Sequence, residues 1–266
     1  MNQHQTNKLA WEEAYENRKD GWEPEEVAER IRNQPDCYLE PELLEALDDI
    51  NLKSATVAQF GCNNGRELLC MFSRGVAKGY GFDIAENMIQ AAAKSAELLE
   101  MDCEFVATDI FEIGEEWTER FDMVLITVGA ITWFEDLRQY FEIVARCLKQ
   151  NGIVVLQDMH PITGMIGVKG EERYAESEPE KILYSYFRKE PWIETDGIGY
   201  MTGKSYSSKA FTSFSHTFSE VINAFAQNDL FVERAEEYDK DISELFDAIE
   251  GKGIPLSYLL IGRKKY

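Results

Sequence analysis

The feature that most constrains this chain is an alternation that begins at residue 55, in which short apolar runs are separated by longer amphipathic stretches. Apolar runs of this length are typical of strands buried on both faces of a parallel sheet, and the amphipathic stretches are typical of the helices that cover it. We therefore predict a doubly wound α/β fold. The predicted strands cover residues 55–60, 78–82, 103–107, 121–127 and 152–157, and the predicted helices cover residues 65–73, 85–100 and 136–149.

Segments with other patterns flank this core. Residues 9–51 have the spacing of helices separated by turns, which predicts an N-terminal helical cap. Residues 158–215 are rich in glycine, hydroxyl and aromatic side chains and lack helical periodicity, so we predict a β-rich insertion, or lid, after the fifth strand. The remaining elements are a helix at 218–228, a strand at 230–237, an acidic helix at 241–249 and a strand at 256–261, which bring the sheet to seven strands.

Charge and cysteine usage narrow the possible partners. The 266 residues include 49 acidic and 27 basic side chains, and the net charge of -22 repels phosphate backbones and anionic lipid headgroups. We therefore expect neither a nucleic acid nor a membrane as partner. The five cysteines form no Cys-x-x-Cys pair and the three histidines are far apart, which predicts free thiols and no metal site. No window reaches 18 apolar residues and the N-terminus lacks a secretion signal, so we predict a cytoplasmic location.

Polar signals follow four successive predicted strands. The first strand ends in Gly-Cys-Asn-Asn-Gly at residues 61–65, where glycine lets the backbone turn sharply and approach a ligand closely. Asp83 ends the second strand, where its carboxylate can accept hydrogen bonds from both hydroxyls of a ribose. Asp109 follows the third strand and can accept from an adenine amino group, and Thr127 ends the fourth. The dinucleotide fingerprint G-x-G-x-x-G is absent, because Asn63 and Arg66 occupy its second and third glycine positions.

From about residue 55 to the C-terminus, these motifs resemble the class I S-adenosylmethionine-dependent methyltransferases. The first motif of that family, an acid followed by h-G-x-G-x-G, is similar to residues 59–65, with Gln59 in place of the acid and Asn63 in place of the middle glycine. The resemblance implies a Rossmann-like fold with a mostly parallel seven-stranded sheet and S-adenosyl-L-methionine as cofactor. It assigns cofactor binding to Gln59, Gly61, Asn63, Gly65, Asp83, Ile84, Asp109, Ile110 and Thr127.

Candidate substrate residues lie after the fourth strand and in the insertion. His160 directly follows the fifth strand, and imidazole is a suitable base for a substrate proton near neutral pH. A local hydrogen bond that fixes the turn before Pro161 is the alternative role. Trp11 and Tyr15 share one helix face that either caps the cofactor, by analogy with the family, or only packs. The predicted substrate-binding residues are Trp133, His216, Tyr184 and Tyr200.

The resulting hypothesis is N-, O- or C-methylation of a small-molecule metabolite. Two alternatives stay open: methylation of a protein with basic patches, and a non-catalytic regulatory protein that binds S-adenosylmethionine, which the substitutions at Gln59 and Asn63 suggest. Either a monomer or a homodimer fits the sequence. The expected division is a helical cap at 1–51, a cofactor-binding core at 52–157, a substrate-site insertion at 158–215 and a C-terminal completion of the sheet at 216–266.

Overall fold

A computed structural model describes residues 2–265 of the chain. Its main sheet has seven strands, and a separate antiparallel pair lies in the insertion. The strands of the main sheet are β1 (Thr56–Phe60), β2 (Lys78–Asp83), β3 (Cys103–Ala107), β4 (Phe121–Ile126), β5 (Leu148–Met159), β8 (Leu230–Tyr238) and β9 (Ser257–Lys264), and the separate pair is β6 (Trp192–Glu194) and β7 (Phe211–Ser213).

The main sheet has the strand order β3-β2-β1-β4-β5-β9-β8. Strands β1 to β5 pair in parallel, and β9 runs antiparallel to both β5 and β8. This arrangement confirms the predicted doubly wound, mostly parallel sheet of seven strands. The strand order reverses between β1 and β4, and in open α/β sheets ligands bind in the crevice beyond the carboxyl ends of the strands at such a point.

Helices cover both faces of the sheet. One core cluster joins Phe60 and Val124 to the apolar side of the helix after β4, and a second cluster joins Val57 to the helices of the N-terminal segment. The helices are α1 (Gln3–Glu16), α2 (Pro24–Asn33), α3 (Pro41–Asp48), α4 (Arg66–Cys70), α5 (Glu86–Leu99), α6 (Leu137–Cys147), α7 (Gly199–Thr202) and α8 (Phe218–Gln227). Helix α1 begins earlier than predicted because the Asn2 side chain accepts a hydrogen bond from Gln5 N and caps it.

The β structure of the insertion at 158–215 is the small antiparallel pair β6 and β7, and many of its other backbone N–H groups donate within turns, as from Tyr174 to Glu171. One prediction about an element was wrong, because no α-helix forms over residues 241–249. There the Asp241 carboxylate accepts from Ser243 N and Phe246 N, a local arrangement that competes with helical hydrogen bonding.

Candidate functional site

A cavity of about 610 Å³ opens at the carboxyl ends of β1 to β5; we call it the first cavity. The strand-end loops form its floor, and side chains of α1 and of the insertion cover it. Two of the predicted cofactor residues, Gln59 and Gly65, do not line it. The predicted residues that do line it are Gly61, Asn63, Asp83, Ile84, Asp109, Ile110, Thr127, Trp133 and Tyr200.

The loop after β1 turns through left-handed backbone conformations. Asn63 has a φ of 53°, which asparagine tolerates, and its Oδ1 accepts a hydrogen bond from Asn64 N at 2.7 Å. Gly65 has a φ of 76° and is the N-cap of α4. A Cβ at that position would lie 2.5 Å from the Phe105 ring and 2.9 Å from Ala92 Cβ. Gly65 therefore allows the loop and α4 to pack against β3 and α5, and it shapes the cavity from behind its wall.

Asp83 presents its carboxylate to the first cavity at the end of β2. Its Oδ2 accepts from Asn63 N at 2.8 Å and its Oδ1 from Ala85 N at 3.0 Å. Each carboxylate oxygen has a second lone pair, so both can still accept a hydrogen bond from a ligand. Burial raises the pKa of Asp83 above its ordinary value, while the bonds from the backbone N–H groups favour the ionised form and act to lower that pKa.

Asp109 lies at the end of β3 and contacts the N-terminal helix. Its Oδ1 accepts from Phe111 N at 3.0 Å, and its Oδ2 lies 2.5 Å from Nδ1 of His4. His4, Asn7 and Trp11 of α1 line the cavity, so α1 covers the strand ends. Trp11 contacts the site, as the capping hypothesis expects. Tyr15 instead belongs to the core beneath α1 and donates to the carbonyl of Trp22.

Gln59 lies behind the cavity wall and is fully buried. Its Nε2 donates to Thr127 Oγ1 at 3.0 Å, and its Oε1 has no hydrogen-bond partner among the described residues. Any effect of Gln59 on a ligand therefore passes through Thr127, which lines the cavity. Gln157, at the end of β5, also lines it and leaves its Nε2 without a partner in the part of the chain that the structure describes.

A second cavity of about 220 Å³ adjoins the first, and the predicted residues His160, Tyr184 and His216 line it. His216 Nε2 donates to the Phe134 carbonyl at 2.9 Å, and burial lowers the pKa of its imidazole. The two cavities are contiguous because both are lined by the same five residues, Thr132, Met159, Glu194, Ser213 and Leu245.

The structure does not bring His160 to the first cavity. Its Nδ1 accepts from Ile162 N at 3.2 Å, and its Nε2 lies 2.9 Å from Glu237 Oε1. The ring packs against Phe218 at 5.5 Å between centroids, and burial lowers its pKa. Because both ring nitrogens face protein atoms, this geometry favours the local role, in which the imidazole fixes the turn before Pro161, over that of a substrate base.

Asp158 is a site residue that sequence reasoning missed. It is 4% exposed, lines the second cavity, and accepts hydrogen bonds at Oδ1 from Gly129 N and Met159 N, both at 2.7 Å. Burial raises its pKa to about 7. A signal was present in the sequence, because Asp158 ends an apolar strand just as Asp83 does. His4 offered no such signal, since its contact joins residues far apart in the chain.

Two sequence comparisons relate the chain to known proteins. A family model described as a methyltransferase domain matches residues 52–191, more than half of the chain. An uncharacterised protein of Haemophilus influenzae is 23% identical over 221 residues, which are 80% of this chain and 82% of that protein.

Solved structures are similar in fold. A structure of an S-adenosylmethionine-dependent methyltransferase from Mesorhizobium loti has a TM-score of 0.61 at 18% identity, over 82% of this chain and 96% of that chain. Geranyl diphosphate C-methyltransferase from Streptomyces coelicolor, in complex with Mg²⁺, geranyl diphosphate and S-adenosyl-L-homocysteine, has a TM-score of 0.56 at 15% identity, over 85% of this chain and 78% of that chain. At these identities the similarity establishes the fold.

Proposed function

The chain belongs to a family of methyltransferase domains, and from that premise we propose that it transfers a methyl group from S-adenosylmethionine to a small molecule. The observation that carries the proposal is the placement of Asp83. Its carboxylate faces a cavity at the point where the strand order reverses, with both oxygens able to accept from a ribose, and a smaller cavity adjoins this one.

The first cavity fits the proposed methyl donor. Its volume of about 610 Å³ lies within the range of small-ligand sites, roughly 300–1,000 Å³. Asp109 would accept from the adenine amino group once its contact with His4 is shared or displaced. Carboxylates outnumber lysines and arginines among the lining residues, which suits a ligand with a positive sulfonium and a positive ammonium group.

The departures at Gln59 and Asn63 do not remove features that donor binding needs. Asn63 keeps the positive φ of the loop, and its backbone N–H donates to Asp83. Gln59 orients the Thr127 hydroxyl instead of presenting a charge. The substitutions therefore leave the loop able to bind a donor at both positions.

When bound, S-adenosylmethionine would supply a methyl group activated by the positive charge on sulfur. The chain would then have to bind the acceptor in line with that methyl group and exclude water from both. Alignment of this kind can supply roughly 7–11 kcal/mol of barrier reduction. Trp11 and Trp133, whose rings meet edge-to-face at 5.2 Å on the wall of the first cavity, are placed to shield the reacting atoms.

The second cavity supports a small acceptor. Its volume of about 220 Å³ and its position under the insertion suit a metabolite better than a folded macromolecule. The net charge of -22 disfavours polyanionic substrates. In residues 2–265 no helix is long and apolar enough to cross a membrane. The described cysteines are all free thiols, and we therefore place the activity in the reducing cytoplasm.

Calorimetry followed by a turnover assay tests this function. We expect S-adenosylhomocysteine to bind with a dissociation constant near the micromolar range, about -8 kcal/mol, and NADH to give no binding heat. S-adenosylhomocysteine should then form when the protein is incubated with S-adenosylmethionine and the small-molecule fraction of a cell extract. Binding without product formation would favour the non-catalytic alternative, and absence of binding would reject the donor site.

A further inference from the structure

We propose that the second cavity binds an organic ammonium ion, so that the methyl acceptor is an amine-bearing small molecule whose positive group lies against Asp158. This inference rests on the proposed function and adds the chemical class of the acceptor. The charge of the cavity wall, the unused hydrogen-bonding capacity of Asp158 and the aromatic rings around it support the inference.

The lining of the second cavity is acidic. Its acidic side chains are Asp158, Glu171 and Glu194, and none of the lining residues is lysine or arginine. The two histidines in the wall, His160 and His216, have their pKa values lowered by burial and are therefore neutral near pH 7. A positive ligand group would be attracted to this cavity, and a carboxylate or phosphate would be repelled.

Asp158 has an oxygen available to such a ligand. Its Oδ1 accepts from two backbone N–H groups, whereas no hydrogen bond from residues 2–265 ends on its Oδ2. The side chain is 96% buried, and it lines the cavity. Buried polar atoms normally have hydrogen-bond partners, and an ionised carboxylate in such a place is stabilised by a neighbouring positive charge. An ammonium N–H donating to Oδ2 would supply both.

Aromatic rings provide the other contacts that organic cations favour. Guanidinium groups stack on two of the aromatic rings that line the cavity. Arg188 lies 3.9 Å from the centroid of the Trp192 ring, and Arg173 lies 5.3 Å from the centroid of the Tyr184 ring. Neither arginine lines the cavity. Rings attract cations through the negative charge of their faces, and the same rings help to enclose the ligand space. The aromatic lining residues are Tyr184, Trp192, Phe214, Phe246 and Tyr258.

The position of Asp158 connects this cavity to the donor site. The Gly129 N–H that donates to Asp158 belongs to a residue that lines the first cavity. Glu194 and Thr132 lie on the wall of both cavities. An amine held at Asp158 is therefore separated from the proposed donor cavity by one hydrogen-bonded contact. A diphosphate-bearing acceptor would instead meet Asp158 and Glu194 with no lysine or arginine to pair with it.

Three probes of similar shape and different charge test the inference. Phenethylamine, 2-phenylethanol and 3-phenylpropanoate are titrated into the full chain by calorimetry, with and without S-adenosylhomocysteine. We expect the amine to bind at least about tenfold more tightly than the alcohol, and the carboxylate to bind more weakly than either. Asp158→Asn should reduce this preference to about twofold or less, whereas Glu172→Gln, which changes an exposed carboxylate outside the cavity, should leave it intact.

Four results would overturn the inference. The three probes could bind with equal affinity, or the carboxylate could bind more tightly than the amine. The preference for the amine could be unchanged in Asp158→Asn, or the amine could fail to bind at millimolar concentration. The titration with S-adenosylhomocysteine reports on the donor site separately. If the protein does not bind S-adenosylhomocysteine but still prefers the amine, the result counts against the proposed function and not against the cation site.

Discussion

Asp83 is the last residue of β2 and Asp158 is the second-to-last residue of β5, and each accepts two hydrogen bonds from backbone N–H groups. In Asp83 the two donors contact different oxygens, so each oxygen keeps a lone pair that can accept from a ligand. In Asp158 both donors contact Oδ1. The first arrangement suits a diol, which donates twice, and the second suits a single positive donor.

Asp83→Asn should weaken the binding of S-adenosylhomocysteine by about tenfold or more, roughly 1.4 kcal/mol, because an amide group replaces one acceptor oxygen with a donor. Titration calorimetry measures this change directly. Asp102→Asn is the matched control, since Asp102 is exposed just before β3, at the other end of that strand from the site. Equal affinity of Asp83→Asn and wild type would remove the ribose assignment.

The raised pKa of Asp158 predicts a pH dependence of stability. Because burial raises the folded-state pKa from 3.8 to about 7, the folded protein favours the protonated acid, and its free energy of unfolding falls as the pH rises from about 4 to about 7. Asp158→Asn cannot ionise and should lack this contribution. Urea unfolding of both proteins at pH 4.5, 6 and 8 should show the variant gaining on wild type as the pH rises. A constant difference would contradict the burial of an ionisable Asp158.

At the scale of elements, the loop after β1 is predicted to tolerate no side chain at position 65. Gly65→Ala combines a positive φ with a Cβ placed 2.5 Å from the Phe105 ring. It should therefore reduce the free energy of unfolding by about 2–4 kcal/mol, which thermal unfolding would show as a lower melting temperature. Gly170→Ala is the control, because that glycine also has a positive φ but no heavy atom within 4 Å of the added Cβ. Similar losses in both variants would show that close packing at Gly65 is unimportant.

Asn7 is one of the side chains that anchor helix α1 over the site. Asn7 donates from Nδ2 to the Thr212 carbonyl at 2.8 Å and accepts from Thr212 N at 2.7 Å, so it joins α1 to β7. Asn7→Ala leaves both backbone groups without these bonds, a change worth about 1–3 kcal/mol. We expect faster amide exchange throughout α1 and weaker binding of S-adenosylhomocysteine, with Gln5→Ala, at an exposed position of α1, unchanged. Slow exchange in Asn7→Ala would show that other contacts hold α1.

The elements that sequence predicted well are those decided by local pattern. The apolar run predicted at 121–127, which is strand β4, and the helix beginning at Phe218 lie where the periodicity put them, because buried strands and amphipathic helices carry their own signal. The helix prediction at 241–249 was wrong because the Asp241 side chain accepts hydrogen bonds from backbone N–H groups, an arrangement that competes with helix formation. The strand bounds within the insertion could not be predicted, because its β-pairs join residues distant in the chain, such as Trp192 with Ser213.

At the scale of the whole molecule, the site also divides into residues that a local sequence pattern predicts and residues that only the tertiary structure brings together. Residues at strand ends, such as Asp83, could be assigned from sequence because parallel strands bring their carboxyl ends to one edge. The contact of His4 with Asp109 depends on how α1 folds over the sheet, and the place of Glu194 on both cavities depends on the path of the insertion. Such contacts arise only from tertiary structure.

Methyl transfer to a small molecule is the central claim, and the fate of a labelled methyl group tests it most directly. The protein is incubated with S-adenosylmethionine that carries a radioactive methyl group and with a complete cell extract, which is then separated by size. We predict that the label appears in the low-molecular-mass fraction, that amine-bearing compounds carry it, and that Asp83→Asn reduces it at limiting concentrations of S-adenosylmethionine. Label confined to protein or nucleic acid, or the same labelling with and without the enzyme, would contradict this account.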